Sequence, residues 1–139
     1  MNVASLELCK ELYELSGWDR TDKSWWIEQW GNFDTEVARY AHKQDEDDTS
    51  TIHYPAYDLG YLLRKLPNYV WSERYQEKAR LWVRKDEDNW FAWYFVNGIQ
   101  DVVSEFGTNA DTPEDATAKL AIELFKQGIL KPEATKGTE

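Results

Sequence analysis

Few residues in this chain have the types and spacing that chemistry needs. Asp45-x-Asp47-x-Thr49 has the spacing of an aspartate nucleophile and an aspartate acid in phosphatase chemistry. That chemistry requires a rigid motif at the tip of a buried parallel strand. Here the preceding Ala41-His-Lys-Gln44 is polar, and nothing in the pattern supports a parallel sheet. The same carboxylates lack the glycine that gives a calcium loop its sharp turn, and Asp86, Glu87 and Asp88 read as a solvated hairpin loop. His42 and His53 are the two histidines, and no cysteine or second histidine stands at metal-ligand spacing from either. Cys9 lies among leucines on a helical face, where a thiol is a small core residue. The seven glycines are scattered, so no phosphate-cradling loop is present. These observations predict no catalytic residues, no metal and no cofactor.

The stretch with the most specific pattern is Ala79–Val96, ARLWVRKDEDNWFAWYFV. Two runs rich in Trp, Tyr, Phe and Val suit a pleated, half-buried surface, and Asp86-Glu-Asp-Asn89 between them is a hairpin connection. Symmetric closure puts Lys85 opposite Trp90, Arg84 opposite Phe91 and Trp82 opposite Trp93. Side chains alternate along a strand. One face then carries Leu81, Val83, Ala92 and Tyr94, with Ala79 and Val96 at its ends, and reads as core. The other carries Arg80, Trp82 and Arg84 against Phe91, Trp93 and Phe95. The favoured expectation is that helices cover this face too, with the arginine heads reaching water. The alternative is an exposed aromatic–arginine surface that binds a partner or a stacked, nucleotide-like ligand.

The elements that must position this hairpin follow from periodicity and punctuation. Val3–Ser16 has an apolar half of Leu6, Leu8, Cys9, Leu12, Tyr13 and Leu15, and Gly17 ends it. Ser24–Trp30 alternates as a strand, and Glu36–Tyr40 leans to strand. Gln44–Thr51 is an acidic loop. A second helix is predicted over Pro55–Leu66, between two prolines, with Leu59, Leu62, Leu63 and Leu66 as its core stripe. Tyr57, Tyr61 and Arg64 recur at i, i+4, i+7 on the opposite side, either as an interface stripe or as tyrosines packed beneath a loop. Val70-Trp71 begins a strand, and Asn97–Asp111 is connecting chain, with Ile99–Phe106 a short strand or helical turn. The last helix has the strongest signals: Thr112 as cap, Pro113 at its first position, Glu114 and Asp115 against the dipole, and Gly128 as stop. The order predicts one α+β domain over residues 1–130, an antiparallel sheet packed with three main helices. A disordered tail over 131–139 completes the expectation.

The 139 residues are enough for one core. Eight Trp and eight Tyr are an unusual supply of rings whose polar atoms need partners, which places many at the margin of a core or at an interface. A net charge of −10 argues against sequence-independent binding to a phosphate backbone. The single cysteine, the polar start and the lack of any run of roughly 18 apolar residues predict a cytoplasmic chain without signal peptide or membrane span.

Two blocks resemble small uncharacterised proteins of tailed bacteriophages and prophages: Tyr54-Pro-Ala-Tyr-Asp-Leu-Gly-Tyr-Leu-Leu-Arg-Lys-Leu-Pro67 and Thr112-Pro-Glu-Asp-Ala-x-Ala-Lys-Leu-Ala-Ile122. The opening helix ending in Ser16-Gly17-Trp18 is similar to theirs, and the element order resembles the phage helix–sheet–helix sandwich domains. The resemblance implies an origin and carries no activity. The functional expectation is a phage accessory protein that binds, with a host protein as partner. The alternatives are a nucleotide binder using the aromatic–arginine face and a structural homodimer.

Overall fold

The computed structural model describes residues 3–19, 23–29, 36–42, 52–96 and 106–132, of which 23–29, 36–42 and 52–53 through the backbone alone. The chain runs α1 (Leu6–Ser16), β1 (Lys23–Gln29), β2 (Glu36–His42), β3 (Ile52–Pro55), α2 (Leu59–Lys65), β4 (Tyr69–Ser72), β5 (Glu77–Asp86), β6 (Asn89–Phe95), β7 (Phe106–Ala110) and α3 (Pro113–Lys126). This is the expected α+β arrangement. The strands, however, form two antiparallel sheets rather than one, ordered β2-β1-β3 and β4-β5-β6-β7.

α3 is the layer on which the β4–β7 sheet and the other two helices pack. Thr112 accepts from the Asp115 N–H at 3.1 Å, closing the first turn, with Pro113 at a position that has no N–H to lose. At the far end Gly128 has φ 78°, and the Ile129 N–H donates to the Leu124 carbonyl at 2.9 Å, the Schellman closure. The apolar contact that accompanies such a closure is made by Leu130, which packs on the core while Ile129 stays exposed. Ala116, Thr117, Ala118, Leu120, Ala121, Ile122 and Leu124 are all buried, so the helix is enclosed on most of its circumference. A helix apolar nearly all round must be covered on both sides. Strands β5, β6 and β7 pack on one side, and α1 and α2 on the other.

Small residues permit the close approach. Ala79, Ala92 and Ala110 are buried on the sheet, as are Ala116, Ala118 and Ala121 on α3. The Thr108 hydroxyl donates to the Ala116 carbonyl at 2.6 Å, joining sheet to helix through a bond that also occupies a buried polar group. The Ser5 N–H donates to Asp115 at 2.7 Å, which ties the start of α1 to the start of α3.

The helix boundaries correct two expectations. α1 begins at Leu6 rather than Val3, because Val3 bridges Asp58 and the Ala4 N–H donates to the Tyr57 carbonyl at 2.8 Å. α2 begins at Leu59 rather than Pro55, since Asp58 caps it by accepting from the Tyr61 N–H at 2.8 Å. Pro55 instead ends β3, where it pairs with Ser24. Gly17 has φ 71° and ends α1 as predicted.

Candidate functional site

The hairpin closes in the predicted register: Lys85 opposite Trp90, Arg84 opposite Phe91, Trp82 opposite Trp93. The pairing runs one step further, to Asp86 opposite Asn89, so the turn is the dipeptide Glu87-Asp88 with Glu87 at φ 54°. Leu81 and Val83 pack on the core and Ala92 and Tyr94 are buried, as the alternation requires. The Tyr94 hydroxyl donates to the Pro67 carbonyl at 2.6 Å, and burial pushes its phenol well above the ordinary tyrosine range.

The opposite face contradicts the favoured expectation of a second covered layer. Trp82 is 41% exposed, Arg80 and Arg84 are exposed, and Phe91, Trp93 and Phe95 are half-buried. The physical reason lies in α3. Among the described residues, the one helix that packs against β5, β6 and β7 does so on the small-residue side, and α1 and α2 pack on that helix.

The rings on this face hold one another. Trp82 and Phe95 meet edge to face at 4.7 Å between centroids, Trp82 and Trp93 are tilted at 6.4 Å, and Phe91 and Trp93 meet edge to face at 6.3 Å. Such contacts add about 0.5–1.5 kcal/mol each beyond burial and fix the ring orientations. The strand on the other side of β5 widens the surface. Tyr69 pairs with Arg80 and Trp71 with Lys78, which places both rings on the same face, 53% and 50% exposed. The Lys78 ammonium sits 5.9 Å from the Tyr69 ring centroid. On the other flank Trp93 stands opposite Gly107, which offers no side chain, and Phe91 stands opposite Asn109.

The chain's net charge is −10, yet Lys78, Arg80 and Arg84 lie on this face, and none of its described residues between Lys78 and Arg84 is acidic. Carboxylates flank it beyond Arg84, with Asp86 on the same face and Glu87 and Asp88 in the turn, and Glu73 lies in the β4–β5 turn beside Arg74. The surface is therefore a cationic aromatic band with an acidic end at the β5–β6 turn. Tyr69 and Trp71 were absent from the sequence-derived site. The alternation Tyr-Val-Trp-Ser, with Val70 inward, was the available signal, but it speaks only once β4 is known to pair with β5.

The second candidate set divides. Tyr57 and Tyr61 belong to the core, at 0% and 8% exposure, and stack on each other at 5.5 Å, so they form no interface stripe. The Tyr57 hydroxyl donates to the Trp18 carbonyl. Burial raises its phenol far above the ordinary value, a side-chain hydrogen bond with Ser16 acting in the opposite sense. Arg64 is exposed, and Leu63, expected in the core stripe, is exposed as well. The helical stripe fails because Tyr57 precedes α2 and does not share its geometry. Cys9 is fully buried, its thiol 3.3 Å from the Ala4 carbonyl, which fits a core role.

Among the described residues no cluster of His, Cys, Asp and Glu could hold a metal ion, and no helix is long and apolar enough to cross a membrane. Asp45, Asp47 and Thr49 lie outside the described residues, as do the side chains of His42 and His53 and the tail beyond Pro132. No family model matches the sequence, and searches of curated proteins and of solved structures give no match.

Proposed function

We propose that this protein acts by binding, and that the open face of the β4–β7 sheet takes a ligand with a flat ring and negative charge, a nucleotide in the first instance. The observation that carries this reading is Trp82: 41% exposed, between Arg80 and Arg84 on one strand, on the uncovered face of a sheet whose other face is core. Arginine can stack on a base and bind a phosphate through two parallel hydrogen bonds. An exposed indole offers a stacking platform for any base.

Titration with nucleoside monophosphates, followed by tryptophan fluorescence and thermal shift, tests the reading. Quenching together with a raised melting temperature is expected, and Trp82→Ala should abolish both. A flat response from the wild-type protein at millimolar ligand sinks it.

A second reading is supported by the residue types on the same face. Trp, Tyr and Arg are those that carry most binding energy at protein interfaces, and Tyr69 and Trp71 project from an edge strand. The resemblance to tailed-phage proteins makes a bacterial host protein the partner to try first. Capture from bacterial lysate by the wild-type chain, set against a Trp71→Ala/Trp82→Ala variant, separates this from the nucleotide reading. Light scattering of the pure protein tests the remaining alternative of a homodimer, which would set Lys78, Arg80 and Arg84 against their own copies if it formed through this face.

A further inference from the structure

Building on the nucleotide reading, we infer that the ligand is a short single strand of nucleic acid laid across the sheet, from β4 toward β7. The direction follows from where the charges stand. Along β5 a polyanion would run from the cationic centre into Asp86, which shares this face by alternation, with Glu87 and Asp88 in the turn beyond it. Across the strands it meets no carboxylate among the described residues: Tyr69 and Trp71 on β4, then Lys78, Arg80, Trp82 and Arg84 on β5, then Phe91, Trp93 and Phe95 on β6, then Gly107 and Asn109 on β7.

The rings are laid out along the same direction. Adjacent strands are about 4.8 Å apart, so four strands span roughly 14 Å, with exposed or half-exposed rings on the first three. Gly107 leaves Trp93 without a neighbouring side chain on the β7 flank, which keeps the path open to the edge of the sheet. A four-stranded face of this width stacks about two or three bases.

The negative total charge does not oppose such a ligand as it would oppose a long polyanion. Contacts with the phosphates are local, and repulsion beyond about 8–10 Å is screened at ordinary salt. The width of the four strands limits the path to a short segment, and a duplex, whose bases are not free to stack, does not fit it.

The test uses the full chain with thymidine monophosphate, dT3, dT6, dT12 and a 12-base-pair duplex as probes, read by tryptophan quenching and by competition with labelled dT6. Affinity is expected to rise at least about fivefold from monophosphate to dT3, the gain of one more stacked base, and to level off from dT3 to dT12 apart from the number of sites per strand. With two or three phosphate contacts the slope of log K against log salt should lie near −1.4 to −2.1. Arg80→Gln and Arg84→Gln should each flatten that slope by about 0.7, while Trp82→Ala should lower affinity at unchanged slope. Far-ultraviolet circular dichroism and melting curves establish that each variant is folded.

Monophosphate binding as tightly as dT6 overturns the strand inference and leaves the nucleotide reading standing. Affinity that keeps climbing to dT12, or a duplex that competes equally, overturns the short transverse path. No quenching by any probe removes both the inference and the reading beneath it.

Discussion

The two faces of the β4–β7 sheet are built from the same strands, residue by residue in alternation, yet they have opposite fates. On β5 and β6 the inward set is Ala79, Leu81, Val83, Ala92 and Tyr94; the outward set is Arg80, Trp82, Arg84, Phe91, Trp93 and Phe95. The outward set carries more apolar surface, and it is the one left partly open. Hydrophobicity alone does not decide which face a helix covers. The inward face presents alanines and branched side chains, over which α3 can lie close enough for Thr108 to reach its backbone. The outward face presents large rings that fill the space a helix would need, and arginines whose heads require water.

The comparison breaks most readily at α3. Leu124 is fully buried there, and Leu124→Ala should cost about 2–5 kcal/mol in urea unfolding. Trp82→Ala deletes a larger side chain from the other side of the sheet and should cost less, about 1–2 kcal/mol, through its ring contacts with Phe95 and Trp93. Equal losses would mean that the outer face is core after all.

A second difference appears in alkali. Burial raises the phenol pKa of Tyr57 and Tyr94, so the folded state keeps protons that the unfolded state has lost. Their contribution to stability is complete below about pH 10, the ordinary tyrosine value, and is lost as pH climbs above it. Melting temperatures should fall above pH 10, and Tyr94→Phe should make that fall shallower. A fall of equal steepness in that variant would remove Tyr94 from the account.

At neutral pH the same variant loses the bond to the Pro67 carbonyl and should be destabilised by about 1 kcal/mol in the same unfolding assay. The smallest effect belongs to the exposed pair of Lys126 and Glu11, 3.3 Å apart, where Lys126→Ala should shift stability by about 0.3 kcal/mol. Thermal melts at two salt concentrations can resolve it.

Much of the frame was legible because local chemistry settled it. Thr112, Pro113 and Gly128 bounded α3, Gly17 ended α1, and the acidic tetrapeptide 86–89 fixed the hairpin register. What escaped depended on partners far along the chain. β7 is Phe-Gly-Thr-Asn-Ala, a poor strand by composition, and it is a strand because β6 offers it a ladder. β3 is four residues ending in proline, held against β1. Tyr57 and Tyr61 looked like a surface stripe because helical spacing was extended two residues before the helix begins. The openness of the aromatic face was beyond the sequence for a related reason. Alternation assigns side chains to faces, but only the placement of α1 and α2 shows that no helix among the described residues covers the second.

The position of α3 in the chain has a consequence for synthesis. A ribosome delivers α1, α2 and all seven described strands before it delivers residues 113–126, the layer that the sheet and the other two helices require. Until then the nascent chain carries hairpins with sticky surfaces on both sides, the state in which unpaired apolar faces recruit chaperones or one another. The last described helix thus acts as the keystone, and a message truncated before it should yield an insoluble product rather than a smaller fold.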